Sequence, residues 1–183
     1  MTSQPGLPGG RDTPASPASD EPTSVDPMAY RQAIGRLAAG VVVATTFSGR
    51  HDHAMTATAV TSVSLDPVLV LICVDEEARW HDAVLDSRVW GLSVLGASSR
   101  AASQWLSTPG RPLHGQLDRI PHHRGGLGVA LLDDALATLE CRTYATHPAG
   151  DHVLVVGEVL AVATPAQAEA ALVHFRGTYT SLS

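Results

Sequence analysis

Basic residues, aromatics, cysteines and long apolar runs are all scarce in this sequence, and each scarcity excludes something. Lys and Arg total 12 of 183 residues against 18 Asp and Glu, a net charge of −6 with the nine histidines counted neutral. That balance argues against nucleic-acid binding, which favours a basic patch. Aromatic residues make up 4%, so Ala, Val and Leu must build most of the core. Cys73 and Cys141 are the only cysteines. Each sits alone in an apolar run and reads as a buried thiol, not as half of a disulfide or a metal site. No apolar stretch approaches the ~20 residues of a membrane span, and the N-terminus lacks the basic start and apolar run of a secretion signal. The expectation is a soluble, cytoplasmic protein without a membrane partner.

What remains is a chain long enough for one domain. Residues 1–25 hold five prolines and three glycines, with Leu7 and Val25 the only large aliphatics. Such a tail cannot bury enough surface to offset its ordering entropy, so the domain is expected over 26–183. Asp26-Pro27 is a helix start. Tyr30, Ile34 and Leu37 follow at helical spacing, and Gly40 can close the helix. The β-branched run Val41 to Phe47 predicts a strand, and Ser48-Gly49-Arg50 a turn into the next one. Val68 to Val74 is continuously apolar and predicts a strand covered on both faces. Further strands are expected over Val89 to Leu95, Ala135 to Thr146 and His152 to Ala163. Short helices are expected over Ala78 to Asp86, with Trp80, Val84 and Leu85 on one side, over Ala97 to Leu106, and after Thr164-Pro165. Ser107 to Gly128, rich in Pro, Gly, His and Arg, reads as a long surface excursion. Six strands joined mostly by short turns favour a mainly β, antiparallel barrel with peripheral short helices over a parallel α/β sheet.

Common catalytic patterns are missing. Gly125 to Gly128 (GGLG) has the wrong spacing for a dinucleotide turn. Gly91 to Leu95 (GLSVL) lacks the second Gly of a nucleophile elbow, leaving Ser93 an ordinary strand residue. His51-x-His53 and His122-His123 have no Cys or carboxylate cluster at zinc spacing and fall in expected turns or loops, so no metal site is assigned. No separated carboxylate pair suggests a general acid and base.

One stretch stands out: Ala54 to Pro67, AMTATAVTSVSLDP. It carries no charge before Asp66. Thr56, Thr58, Ser62 and Ser64 fall on even positions and share a face if the run is one extended strand, interrupted by Val60. Such a face can admit a flat ligand and offer it hydroxyls and N–H groups. It is equally the pattern of a half-exposed Thr/Ser-rich strand. With no acid, base or strong nucleophile in it, chemistry there would belong to a bound cofactor.

The segment Thr56 to Pro67 resembles the signature of the short-chain flavin reductases, the reductase components of two-component flavin-dependent monooxygenases. Arg36 to Thr46 (RLAAGVVVATT) is similar to the family's helix and first strand, and Val68 to Val74 to its next strand. Ser93-Val94-Leu95, Leu139-Glu140-Cys141, Gly150-Asp151-His152 and Phe175 to Tyr179 (FRGTY) resemble later signatures in the same order. The resemblance implies a flavin-binding split β-barrel working as a homodimer. It implies transfer of a hydride from NADH or NADPH to FMN or FAD, and release of reduced flavin to a partner monooxygenase. By the same resemblance Asp52, His53, Ala54, Met55, Thr56, Thr58 and Ala59 would line the flavin, with Ser62 and Ser64 further along. Cys73, Val74 and Asp75 would join them. Arg79 would meet a phosphate, its alternative being a surface residue that starts a helix. His152 would lie beside the nicotinamide, its alternative being a turn histidine. Tyr179 and Arg176 would close that side. No residue is implied as acid or base. Ala54 replaces a usual Gly, Thr58-Ala59 a usual Asn-Ser and Ser93 a usual Asn. A non-catalytic flavin-binding module and a deazaflavin-using relative are the alternative readings.

Overall fold

A computed structural model describes residues 24–166 and 169–182. The expected tail therefore lies outside the described residues except for Ser24 and Val25. The elements run α1 (Pro27–Ile34), β1 (Ala39–Gly40), β2 (Val42–Ser48), β3 (His51–Ala57), β4 (Val60–Leu65), β5 (Val68–Asp75), α2 (Arg79–Ser87) and β6 (Val89–Leu95). A 3-10 turn (Ala97–Ser99) then leads into α3 (Arg100–Ser107), followed by β7 (His122–Arg124), β8 (Ala130–Leu132), β9 (Ala135–Ala149), β10 (His152–Ala163), β11 (Ala171–Phe175) and β12 (Thr178–Leu182).

Seven strands form the main antiparallel sheet in the order β3-β2-β6-β9-β10-β5-β4. Its outer strands, β3 and β4, are consecutive in the chain. Laid flat, seven strands would hold those edges about 29 Å apart. The chain from Ala57 to Val60 can span only about 11 Å. The sheet must therefore curl until its edges approach, a barrel joined at the seam by Thr58 and Ala59. The Cys73 N–H donates to the Ala59 carbonyl at 2.9 Å, carrying the β4–β5 ladder up to that corner. Two small sheets, β1-β11-β12 and β7-β8, sit outside.

The expected Ala54-to-Pro67 strand is thus two strands. The break at Thr58-Ala59 puts β3 against β2, with Thr56 opposite Val43, and β4 against β5, with Ser62 opposite Val70. The even-numbered hydroxyls do not share one face. This split raises the six expected strands to seven, and short outer strands add to them. The end of the chain, read without strands, forms β11 and β12. After Thr164-Pro165 the described residues carry no helix, and 167–168 lie outside the description.

The doubly covered strand is β2, not β5. Val41 and Val43 enter one buried cluster with Ala54, Leu106 and Leu117; Val42 and Ala44 enter another with Ile72, Trp80, Trp90 and Leu92. In β5 only alternate residues, Val70, Ile72 and Val74, are fully buried, so only one of its faces is fully covered. Burying side chains such as Ile72 and Leu92 stabilises the fold by about 1.5–3 kcal/mol each. Trp80 of α2 meets Trp90 of β6 edge-on, ring centroids 6.0 Å apart. Gly157 makes room for them: a Cβ there would lie 2.3 Å from the Trp90 ring.

Helix α1 starts as read, with the Asp26 carboxylate accepting the Met28 and Ala29 N–H groups. It ends six residues before Gly40, and its apolar side is uncovered: Tyr30, Ile34 and Leu37 are all exposed. Leu85 of α2 is exposed as well. Cys73 is half-buried and Cys141 buried, both as free thiols, and burial pushes the Cys141 thiol up to about 12. Among the described residues no helix is long and apolar enough to cross a membrane.

Candidate active site

A cavity of about 650 Å³ opens at the seam of the barrel, within the size range of ligand pockets. Its walls come from distant parts of the chain: His53 to Ala59 of β3 and the corner, Cys73 to Asp75 at the end of β5, Arg79 and Trp80 of α2, Arg111 and Gln116 from the excursion, His152 of β10, and His174 and Tyr179 of the C-terminal sheet. Of the residues singled out in the sequence, His53, Ala54, Met55, Thr56, Thr58, Ala59, Cys73, Val74, Asp75, Arg79, His152 and Tyr179 line it.

Asp52, Ser62, Ser64 and Arg176 do not. Asp52 turns its carboxylate to Arg124, both contacts 2.7 Å, a bidentate pair that fastens β7 to β3. Ser62 and Ser64 went with β4 to the opposite edge, where the Ser64 hydroxyl accepts the Asp66 N–H at 3.2 Å. Arg176 occupies the β11–β12 turn at positive φ, its N–H donating to the Gly35 carbonyl at 2.7 Å.

Among the described residues, edge strand β3 has one side without a neighbouring strand. The Ala54 N–H meets Gln116 Oε1 at 3.4 Å, its carbonyl accepts from Arg111 Nη2, and Gln116 Nε2 donates to the Asp52 carbonyl at 3.5 Å. Two side chains of the excursion thus stand in for a missing strand and cover half of the edge. Antiparallel alternation aims the Thr56 N–H and carbonyl the same way, at the cavity. The Thr56 hydroxyl is already engaged, donating to the Ser103 carbonyl of α3 at 2.7 Å. The buried Ser103 hydroxyl in turn donates to the Tyr179 phenol oxygen at 2.9 Å, leaving the phenol proton free. His174 meets the Tyr179 ring edge-on at 5.5 Å.

His152 is half-buried opposite Asp75, and its Nδ1 lies 2.7 Å from the Asp151 carboxylate. That hydrogen bond and the histidine's charge hold Asp151 below its ordinary value. Burial lowers the His53 pKa, favouring its neutral form. The cavity therefore presents backbone groups, hydroxyls, imidazoles, two guanidiniums, the Cys73 thiol and the carboxylates of Asp75 and Glu77.

Sequence reading missed Arg111, Gln116 and His174. The first two lie 57 and 62 residues from Ala54 in a stretch without periodicity, so nothing local marked them. The excursion is no mere surface loop: Gln116 and Leu117 are buried. His174, inside the run ALVHF, was legible as a strand residue had the terminal sheet been expected. The rejected motifs also found their places. Ser93 accepts the Leu132 N–H at 3.0 Å, and the GGLG turn wraps the Glu140 carboxylate, with N–H donors from Gly126 and Leu127 at 2.9 and 2.7 Å. His51 and His53 lie in β3, and His122 and His123 in β7, not in turns.

Residues 34–183 match the family model described as the flavin reductase like domain. The chain is 39% identical over 155 residues to the NADH-dependent FMN reductase AsuE2 of Streptomyces nodosus subsp. asukaensis, covering 84% of this chain and 83% of that protein. It is 35% identical over 131 residues to the reductase component of 4-hydroxyphenylacetate 3-monooxygenase of Thermus thermophilus, covering 72% and 80%. The solved structure of BorF, the flavin reductase component of a bacterial two-component tryptophan halogenase, superposes with a TM-score of 0.81 at 36% identity, covering 86% of this chain and 98% of that one.

Proposed function

The chain belongs to the flavin reductase-like family, and on that premise we propose that it is an NADH-dependent flavin reductase supplying reduced FMN or FAD to a partner monooxygenase. The observation that carries this reading is the seam cavity. It gathers the β3 edge, the end of β5, His152 and Tyr179 into one space, as a site for transfer between two bound cofactors requires. The residues fit a flavin. The Thr56 backbone faces the space, the single methyl side chains of Ala57 and Ala59 let a flat ring approach, and Arg111 carries a buried Nε without a hydrogen-bond partner among the described residues.

When bound, the flavin accepts a hydride that the nicotinamide supplies; the protein's share is proximity and orientation. His53 to Ala59 would form the flavin wall, with the Thr56 N–H offering a donor to the ring. His152 and Tyr179 would hold the nicotinamide side, the phenol proton of Tyr179 being free to donate. Homodimerisation belongs to the same reading, supported by the uncovered apolar residues Met28, Tyr30, Ile34 and Leu37, as does a cytoplasmic location, supported by the two free thiols.

Purified protein mixed with NADH and FMN or FAD tests the activity by nicotinamide absorbance. Consumption dependent on added flavin is expected. Flavin binding without consumption would leave a non-catalytic module instead. Sedimentation at micromolar concentration tests the dimer.

A further inference from the structure

Ser103 of α3 is fully buried behind the cavity wall and reaches two residues that line the cavity from different sheets. Its carbonyl accepts the Thr56 hydroxyl of β3 at 2.7 Å, and its own hydroxyl donates to the Tyr179 phenol oxygen of β12 at 2.9 Å. Thr56 belongs to the flavin wall and Tyr179 to the nicotinamide side, so one residue of α3 spans both halves of the site. A helical serine ordinarily turns its hydroxyl back to a carbonyl three or four residues earlier. Ser107 and Thr108, at the end of α3 and just beyond it, do that: both donate to the Gln104 carbonyl, at 3.0 and 2.8 Å. Ser103 instead sends its hydroxyl to a residue 76 positions away.

The direction of that bond matters. A phenol oxygen that accepts from Ser103 keeps its own proton for a group in the cavity. The ring is held as well. The Arg100 guanidinium carbon lies 5.8 Å from its centroid, and His174 meets its edge at 5.5 Å. Arg100 and Ser103 stand three residues apart, on one face of α3. The helix therefore sets both the ring and the phenol oxygen, while its Ser103 carbonyl holds β3.

We infer that Ser103 is a positioning residue for the nicotinamide: its hydroxyl commits the Tyr179 phenol to donate toward the carboxamide oxygen and fixes that donor relative to the flavin wall of β3. The inference rests on the reductase reading. Its physical content is orientation, since transfer between two bound rings depends on how each is held against the other. Without the Ser103 hydroxyl the phenol can donate or accept, and its oxygen is no longer tied to the residue that holds Thr56.

Calorimetric titration of NAD+ into protein saturated with FMN tests it, because both cofactors are oxidised and no turnover intrudes. FMN affinity is measured separately by fluorescence. Ser103→Ala removes the hydroxyl and keeps the carbonyl that holds Thr56, and Ala suits a helix better than Ser, so the variant is expected to fold. It is expected to raise the NAD+ Kd about three- to tenfold, the worth of one hydrogen bond, and to leave the FMN Kd within about twofold. Tyr179→Phe should raise the NAD+ Kd at least as far. Adding Ser103→Ala to Tyr179→Phe should then move it less than about twofold further, because Ser103 acts through the phenol. Fully additive losses would overturn the inference, as would unchanged NAD+ affinity in Ser103→Ala or wild type binding no NAD+ beside FMN. Equal weakening of FMN and NAD+ in Ser103→Ala would reduce Ser103 to a support for the barrel and overturn it too. Wild type that binds NAD+ yet oxidises no NADH with any flavin would sink the reductase reading, while the NAD+ affinities would still decide the role of Ser103.

Discussion

β3 and β4 come from one continuous Thr/Ser/Val-rich run, yet they finish at opposite edges of the sheet with different surroundings. β3 is roofed by Arg111 and Gln116, backed by α3 and open only at the cavity. β4 is bare, with Val63 50% and Leu65 85% exposed. Composition is nearly the same in both. The difference lies in what the rest of the chain brings to each edge: an excursion whose side chains pair with β3 and, among the described residues, no strand beyond β4. A hydroxyl-rich strand comes to line a cavity when its free edge is partly capped and partly left open.

The largest expected effect comes from removing the cap. Gln116→Leu would leave the Ala54 N–H and the Asp52 carbonyl without their partners in a buried setting. It should cost about 1–3 kcal/mol, read as a lower denaturant midpoint at unchanged slope, together with weaker flavin binding. Unchanged stability would mean that the edge of β3 does not depend on the excursion.

How much of this was legible in the sequence follows the same division. The β2–β3 hairpin, β6, β9, β10 and the helices α2 and α3 could be read from apolar patterning and turn residues, because those signals are local. The break at Thr58-Ala59 could not. No Pro or Gly marks it, and it exists because a curled sheet has to turn a corner there. Ser62 and Ser64 were misplaced for that reason alone. The ordered family signatures carried His152, Arg79 and Tyr179 into the site. Arg111 and Gln116 stayed hidden, since their partner strand lies more than fifty residues away. The helical spacing of Tyr30, Ile34 and Leu37 was legible and their exposure was not, because periodicity reports an apolar face and not what covers it.

The β4-bearing side of the seam contributes through the ends of β5 and β10, and His152→Ala sharpens that point. It should lower kcat/KM for NADH by about tenfold, roughly one lost hydrogen bond in the transition state, while flavin affinity stays within about twofold. A loss of flavin binding equal to the loss of turnover would remove His152 from the nicotinamide side.

The smallest effect concerns pH. His53 of β3 has its pKa lowered from the ordinary 6.5 by burial. Its neutral form therefore contributes fully above about pH 6.5, and the contribution is lost as pH falls from there through the folded-state value. Melting temperatures between pH 7.5 and about 5 should fall more shallowly for His53→Gln than for wild type. Parallel curves would show that His53 is not desolvated.

The comparison of the two strands is tested most directly by FMN titrations of Thr56→Val and Ser64→Ala side by side. Thr56→Val removes the hydroxyl that ties β3 to α3 and should weaken FMN binding by about tenfold. Ser64→Ala, on the bare edge, should leave it within about twofold. Equal weakening in the two variants, or weakening in Ser64→Ala alone, would contradict a flavin site against β3.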